Sequence, residues 1–460
     1  MDAAHVEALG TERISKLIVR YSMPTMLSTV VNASYNVADR IFVGRTCGED
    51  ALAAITVCFS PTLFLLAVAM TIGHGSATMI SICLGAGRRE AAEKFLGQAV
   101  FLFGVFYAVV AAVALSLMPQ ILTFFGATPK ILPDACAYYS IIIGGLIFDK
   151  ISFGVNNLVR AEGRPVVAMA TILIGGATNV FLDWLFLVKW NWGVRGAAIA
   201  TVIAQACASA WVIGYYFSGR NFLKIRLRNV RAFPRLLRQM ASAGSPSFII
   251  QAFAALSVSV FVVQARSYGS ESALAVIGVC TTVTTFLFLP IVGLSMGVQP
   301  IVGYNWGAKN FKRVRRAFSR ALWAATAVCA AGFALAELFP GAIFELFLGS
   351  DSPLLSTGEG ALRLMVAGMA FIGANIVASG YFQATKRPAV SIFVTTLRQI
   401  IFLVPAMLLL PRILGLDGLW ASFPIGDISA FFATLFFIVR EMRSLRRKVG
   451  EEEAARARFA

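Results

Sequence analysis

Residues 55–82 read ITVCFSPTLFLLAVAMTIGHGSATMISI, an apolar run from Ile55 to Ile82 without one Asp, Glu, Lys or Arg. About 20 residues of helix cross the hydrocarbon core of a bilayer, so this run is long enough to span it. The stretches from Ala99 to Met118 and from Val390 to Leu410 approach or exceed the same length. Lipid offers the backbone no hydrogen-bond partner, which leaves only helices or the strands of a closed barrel. These runs are continuous rather than alternating, and that excludes the barrel. The whole chain agrees: of 460 residues 58% are hydrophobic and 14% charged, with mean hydropathy +0.77, whereas soluble domains are about a quarter charged. The reading is an all-α polytopic membrane protein.

Outward from that run, twelve transmembrane helices are expected at about 17–43, 51–82, 95–118, 133–159, 166–189, 195–218, 240–264, 273–303, 317–339, 358–384, 389–410 and 418–440. Basic residues alternate from loop to loop. Arg88/Arg89, Arg160/Arg164, the run Arg220, Lys224, Arg226, Arg228, Arg231, Arg235 and Arg238, the run from Lys309 to Arg320, and Lys386/Arg387 mark one side. The other side carries only scattered cations, such as Arg45, Lys130 and Arg412. By the positive-inside rule the rich side is cytoplasmic, and both termini lie there. The formal net charge of +17 therefore reads as basic loops facing anionic lipid headgroups, and nucleic acid is not expected as a partner.

The chain also repeats itself at an offset of 222 residues. EDALAAITVC at Glu49–Cys58 returns as ESALAVIGVC at Glu271–Cys280; Pro24 matches Pro246, Gly75 matches Gly297, and Gly85-Ala86 matches Gly307-Ala308. With one residue of slip, Ala161, Arg164 and Pro165 match Ala384, Arg387 and Pro388. An even number of spans per half makes this a parallel repeat, a design that places substrate near the membrane midplane. The expected organisation is an N-lobe over 1–218 (helices 1–6), a basic cytoplasmic linker over 219–239, a C-lobe over 240–440 (helices 7–12) and a charged cytoplasmic tail over 441–460. Seven cysteines show no CxxC pair, so neither a disulfide framework nor a zinc site is indicated. The first twenty residues have no signal-peptide pattern, and the first span is expected to direct insertion. Composition gives no indication of oligomeric state.

Ionisable residues at membrane depth are costly and mark functional candidates. Span 1 carries Asn32, Tyr35, Asn36 and Asp39 on one helical face. Span 5 carries Gly175, Gly176, Asn179 and Asp183 on one face, its small residues allowing a close neighbour. Span 6 adds Thr201, Gln205 and Ser209 at four-residue steps. Facing each other, these stripes would put Asp39 and Asp183 in one pocket with Asn179 and Thr201, where the two carboxyls titrate together and exchange a proton. The same oxygens suit a small hard cation such as Na⁺; alternatively, each Asp serves only as helix glue. Pro24 interrupts span 1, as a hinge or a static kink. Asp149 and Lys150 point about 100° apart on their helix, so each is expected to need a different partner. Arg398 and Asp427 are expected to form a buried ion pair, and His74 to be packed rather than a ligand.

At these residues the chain resembles the MATE family, especially its DinF-like and MepA-like members. YNVADRIFVG at Tyr35–Gly44 is similar to the family's first-helix motif, and NNLVRAEGRP at Asn156–Pro165 to its helix 4–5 junction. NVFLD at Asn179–Asp183, GVRGAAIAT at Gly193–Thr201 and QPIVGYNWGAK at Gln299–Lys309 resemble its later motifs. The resemblance covers nearly the whole chain. It implies two six-helix lobes in a V, in the manner of MATE and MOP transporters, in a bacterial inner membrane. It implies alternating access in which H⁺ or Na⁺ enters as an organic compound leaves, with no further cofactor. Asp39, Asn179, Asp183 and Thr201 are then the cation site, and Pro24 the hinge. Tyr35, Asn36, Asn156, Asn157, Gln383 and Arg398 are candidates for the substrate cavity, and the cargo is expected to be amphipathic and cationic. Two departures stand out. The pair Asp149-Lys150 has no place in the family pattern, and the repeat equivalents of Asp39 and Asp183 are Phe261 and about Ala406, which makes coupling one-lobed. A lipid-linked-oligosaccharide or lipid flippase of the same superfamily fold is the alternative. It should line its cavity with several cations, whereas only Lys150, Arg363 and Arg398 lie at depth. An enzyme is not expected: there are two histidines and no HExxH motif.

Overall fold

The computed structural model describes residues 2–219, 221–269, 271–349 and 354–457; Arg220 of the basic run lies outside them. Among the described residues there is no strand. The helices are α1 (Asp2–Thr11), α2 (Ile14–Gly85), α3 (Arg89–Ser116), α4 (Met118–Phe124), α5 (Leu132–Ala161), α6 (Pro165–Asp183, prolonged by a π-helical turn to Lys189), α7 (Gly193–Phe217) and α8 (Pro234–Tyr268). They continue as α9 (Glu271–Gly307), α10 (Phe311–Leu338), α11 (Pro340–Leu348), α12 (Leu355–Val366), α13 (Met369–Ala384), α14 (Pro388–Thr396, followed by the π-helical Leu397–Leu403), α15 (Val404–Leu409) and α16 (Pro411–Ala457).

Local sequence sets these boundaries. Proline opens α6, α8, α11, α14 and α16, where its missing N–H would be unsatisfied anyway and its fixed φ already suits a helix. Asn310 caps α10, its side chain accepting from Arg313 N at 3.3 Å. Gly48, at φ 84°, breaks α2 into two helical segments. Among the described residues ten helices are long and apolar enough to cross a membrane. Leu355–Val366 and Met369–Ala384, bent by 42°, make an eleventh. The twelfth expected span is the part of α2 before Gly48, where Asn32, Tyr35, Asn36 and Asp39 dilute the hydropathy.

The chain forms two compact units. One comprises Met1–Thr11 and Leu27–Phe248, the other Glu12–Met26 and Ile249–Ala460. The boundaries after Met26 and Phe248 fall inside helices, two residues past Pro24 and two past Pro246. The unit boundary therefore differs from the expected linker at 219–239. That connector is held in the first unit: Arg226 Nε pairs with Glu93 Oε2 at 2.6 Å, and Phe233 N donates to Gln98 Oε1 at 2.8 Å. Part of the expected tail is helical. α16 runs on to Ala457, and its Glu441, Leu445 and Val449 are buried. Glu441 leaves solvent because it is satisfied, accepting from Tyr381 OH at 2.8 Å and pairing with Arg387.

The repeat is written into the backbone. Positive φ recurs at Gly87 and Lys309, Gly126 and Gly349, Gly163 and Lys386, and Gly193 and Gly415. Each pair is separated by 222 or 223 residues. These are helix ends and tight joints, where a left-handed residue turns the chain.

Candidate functional site

In the first unit α2, α6 and α7 bring the polar stripes together. Gly176 makes room for the Tyr35 ring: a Cβ there would lie 3.0 Å from Tyr35 Cδ1. About one turn further along α2 and two along α6, the carboxyls of Asp39 and Asp183 are neighbours. Asp183 is fully buried and Asn179 is 2% exposed. Asp39 Oδ1, both carboxylate oxygens of Asp183, Asn179 Oδ1 and Gln205 Oε1 have no hydrogen-bond donor among the described residues. Thr201 Oγ1 donates to Ala197 O at 3.0 Å, which leaves its lone pairs free to accept. Beside the carboxyl pair lies a cleft of about 80 Å³, lined by Tyr35, Asp149, Asn179, Thr201 and Gln205 among others.

An arrangement of buried acceptors without donors is built for a positive charge. Two neighbouring carboxyls, one fully buried and one partly so, favour a proton or a small cation between them. Among the described residues no group of three or more His, Cys, Asp or Glu is placed to hold a metal. A Na⁺ would rest on two carboxylates with the Asn179 amide and Thr201 hydroxyl oxygens, the oxygen-only set a hard cation takes.

Asp149 and Lys150 correct the expectation of separate partners: Lys150 Nζ donates to Asp149 Oδ2. The backbone directions diverge, but the four-carbon lysine stem is long enough to fold back. Lys150 is 1% exposed, while Asp149 faces the cleft. Of the expected cavity residues, Tyr35 lines this cleft. Asn36 is exposed and donates to Asn32 O at 2.6 Å. Asn156 and Asn157 are buried away from the cleft, and Asn157 accepts from Arg160. His74 is packed as expected, with Nδ1 2.8 Å from Ser247 Oγ. The helix continues through Pro24.

The second unit holds a larger cavity, about 350 Å³, with Arg398 and Asp427 in its wall. The expected pair is formed: Arg398 Nε donates to Asp427 Oδ1 at 2.7 Å. Gln383 is buried outside it. The repeat aligns the two cavities. Asn32, Tyr35, Gly175, Gly176, Thr201 and Gln205 of the first correspond to Ala254, Ser257, Arg398, Gln399, Phe423 and Asp427 of the second. The sequence pointed to Arg398 as a cavity residue but not to the rest of this lining, because most of the wall is apolar and reads like any lipid-facing surface. One enzyme-like spacing, Gly293-Leu294-Ser295-Met296-Gly297, lies inside α9. Ser295 Oγ donates to Ile376 O at 3.3 Å, which is not the exposed strand-to-helix turn that a serine nucleophile needs.

Two repeats of membrane-spanning helices, each with a polar or charged cavity among its spans, define the class of secondary transporters. The chain belongs to the MatE family, whose model matches residues 24–185 and again 246–408, once per repeat. The multidrug export protein MepA of Staphylococcus haemolyticus (strain JCSC1435) is 23% identical over 432 residues, covering 94% of each chain. MepA of Staphylococcus aureus (strain NCTC 8325 / PS 47) is 24% identical over 432 residues, covering 92% of this chain and 93% of that one. The fold is also that of an outward-facing multidrug resistance MATE family transporter of the MOP superfamily. That match has a TM-score of 0.91 and 24% identity, over 96% of this chain and 98% of the other. A MOP superfamily transporter from Pyrococcus furiosus, whose binding pocket is described as reversed in polarity, matches with TM-score 0.89 and 24% identity over 95% and 98%.

Proposed function

We propose that this protein is a cation-coupled antiporter of a bacterial inner membrane, with both termini cytoplasmic, which exports amphipathic organic compounds by alternating access. The observation that carries the reading is the juxtaposition of Asp39 and Asp183, a carboxyl pair whose buried oxygens, with those of Asn179 and Gln205, have no donor among the described residues. H⁺ or Na⁺ entering from outside occupies the pair, neutralises it and is released inside, while cargo moves the other way. Asn179 and Thr201 complete the oxygen set for the ion. The multidrug export proteins among the relatives support organic cargo. Pro24 stands two residues before the chain passes from one unit to the other, so it serves as the hinge: its missing N–H weakens the helix where the two units must part. A flippase for a pyrophosphate-linked lipid finds less support, because such a head calls for several cations and, among the described residues, Arg398 is the one cation lining either cavity.

The test uses cells stripped of their own exporters and challenged with a toxic amphipath. The wild-type chain raises the tolerated concentration, and Asp39→Asn abolishes that gain at equal protein level in the membrane. Resistance retained by Asp39→Asn refutes the coupling role.

A further inference from the structure

The two cavities stand at equivalent positions of the repeat, yet they differ in size and chemistry. The cleft of the first unit, at about 80 Å³, has room for an ion and a few waters. The cavity of the second unit, at about 350 Å³, falls in the range of small-molecule pockets, roughly 300–1,000 Å³. At two positions of the first unit's ion ligands the second unit carries aromatic rings. Asp39 becomes Phe261 and Thr201 becomes Phe423, and these two rings pack edge to face with centroids 5.3 Å apart. Met365, Met369 and Met407 add flexible, polarisable wall, which suits cargo of variable outline.

One polar feature interrupts this wall. Arg398 spends its Nε on Asp427, while its terminal nitrogens have no protein acceptor among the described residues. Its guanidinium sits 5.8 Å from the Phe288 centroid. The Arg398 side chain is 13% exposed and that of Asp427 6%, and both line the cavity. Asp427 thus acts as the anchor that holds the guanidinium fork in place, and the fork presents planar donors beside an aromatic face.

We propose that the second unit's cavity is the cargo site, and that it selects flat aromatic amphipaths bearing a carboxylate for Arg398. The ion and the cargo then occupy different units. This inference deepens the export reading and rests on it. It departs from the expectation of cationic cargo, which drew on the acidic groups of the first unit.

The test is equilibrium binding to the purified full-length protein in detergent, followed by fluorescence polarisation. Two probes share one tricyclic aromatic body: rhodamine 110, with a free carboxylate, and rhodamine 123, its methyl ester. The wild-type protein binds rhodamine 110 about tenfold more tightly, the discrimination given by one hydrogen bond to a charged group. The double variant R398Q/D427N leaves no unpaired buried charge and erases that preference. Phe423→Ala weakens both probes about tenfold. Equal affinity for the two probes in the wild type, a preference that survives in R398Q/D427N, or no binding of either probe overturns the proposal. No gradient is present, so a negative result condemns the pocket alone, while the resistance assay decides the export reading separately.

Discussion

Lys150 shows what a single buried charge demands. It is 1% exposed and its partner is its own neighbour, Asp149, whose carboxylate also faces the cleft. Removing the acid strands an ammonium in the interior, and breaking a buried pair in this way costs roughly 3–5 kcal/mol. Asp149→Asn is therefore expected to lower the thermal midpoint in detergent sharply. Lys150→Met leaves an acid that water in the cleft still reaches, and should cost about 1 kcal/mol. The double variant should return to within about 1 kcal/mol of the wild type. Equal losses in all three variants would show that the pair is not the reason. The sequence revealed that both residues are charged at depth but not that they pair, because helical spacing describes where the backbone points and not how far a lysine bends. The stripe through Asn32, Tyr35 and Asp39 was legible for the opposite reason: short side chains follow the backbone, so spacing alone predicts which face they share.

Among the elements, the crossing of α2 and α8 is the tightest. A Cβ on Gly244 would lie 1.9 Å from Thr71 O, and one on Gly75 would lie 2.2 Å from Met240 O. The two backbones therefore touch, and any side chain must drive them apart. The second repeat makes the same crossing, with Gly297 against the backbone of Tyr21 and Ser22. Gly244→Ala should destabilise the folded protein by about 3 kcal/mol or more, with a matching loss of monodisperse yield. Gly278 in α9 has open space around its missing Cβ. Gly278→Ala should be neutral or stabilising by up to about 1 kcal/mol. The same loss at both glycines would refute steric contact as the cause. Hydropathy marked these helices as spans, but it is blind to membership. The boundaries after Met26 and Phe248 cut through continuous helices, and only packing reveals to which unit each piece belongs.

The whole molecule is a duplication whose halves differ in the size and lining of their cavities. The sequence shows the duplication directly, in Glu49–Cys58 against Glu271–Cys280, and the backbone repeats it in four pairs of left-handed residues. Asp39 and Asp183 were legible because carboxylates at membrane depth are rare enough to stand out. The aromatic cavity was not, because Phe261, Phe288 and Phe423 look alike whether they face lipid or a ligand. Coupling in this account resides in the first repeat alone, since Phe261 and Ala406 replace its two acids in the second. The most direct test follows ions rather than cargo. Purified protein is reconstituted in proteoliposomes, and an outward flux of a fluorescent amphipath is started with no ion gradient. Inward movement of H⁺ is read by a luminal pH dye and that of Na⁺ by a radioactive tracer. The account predicts that one ion moves against the cargo in the wild type and that this flux disappears in Asp183→Asn. An undiminished ion flux in Asp183→Asn, or cargo movement with neither ion following, would contradict it.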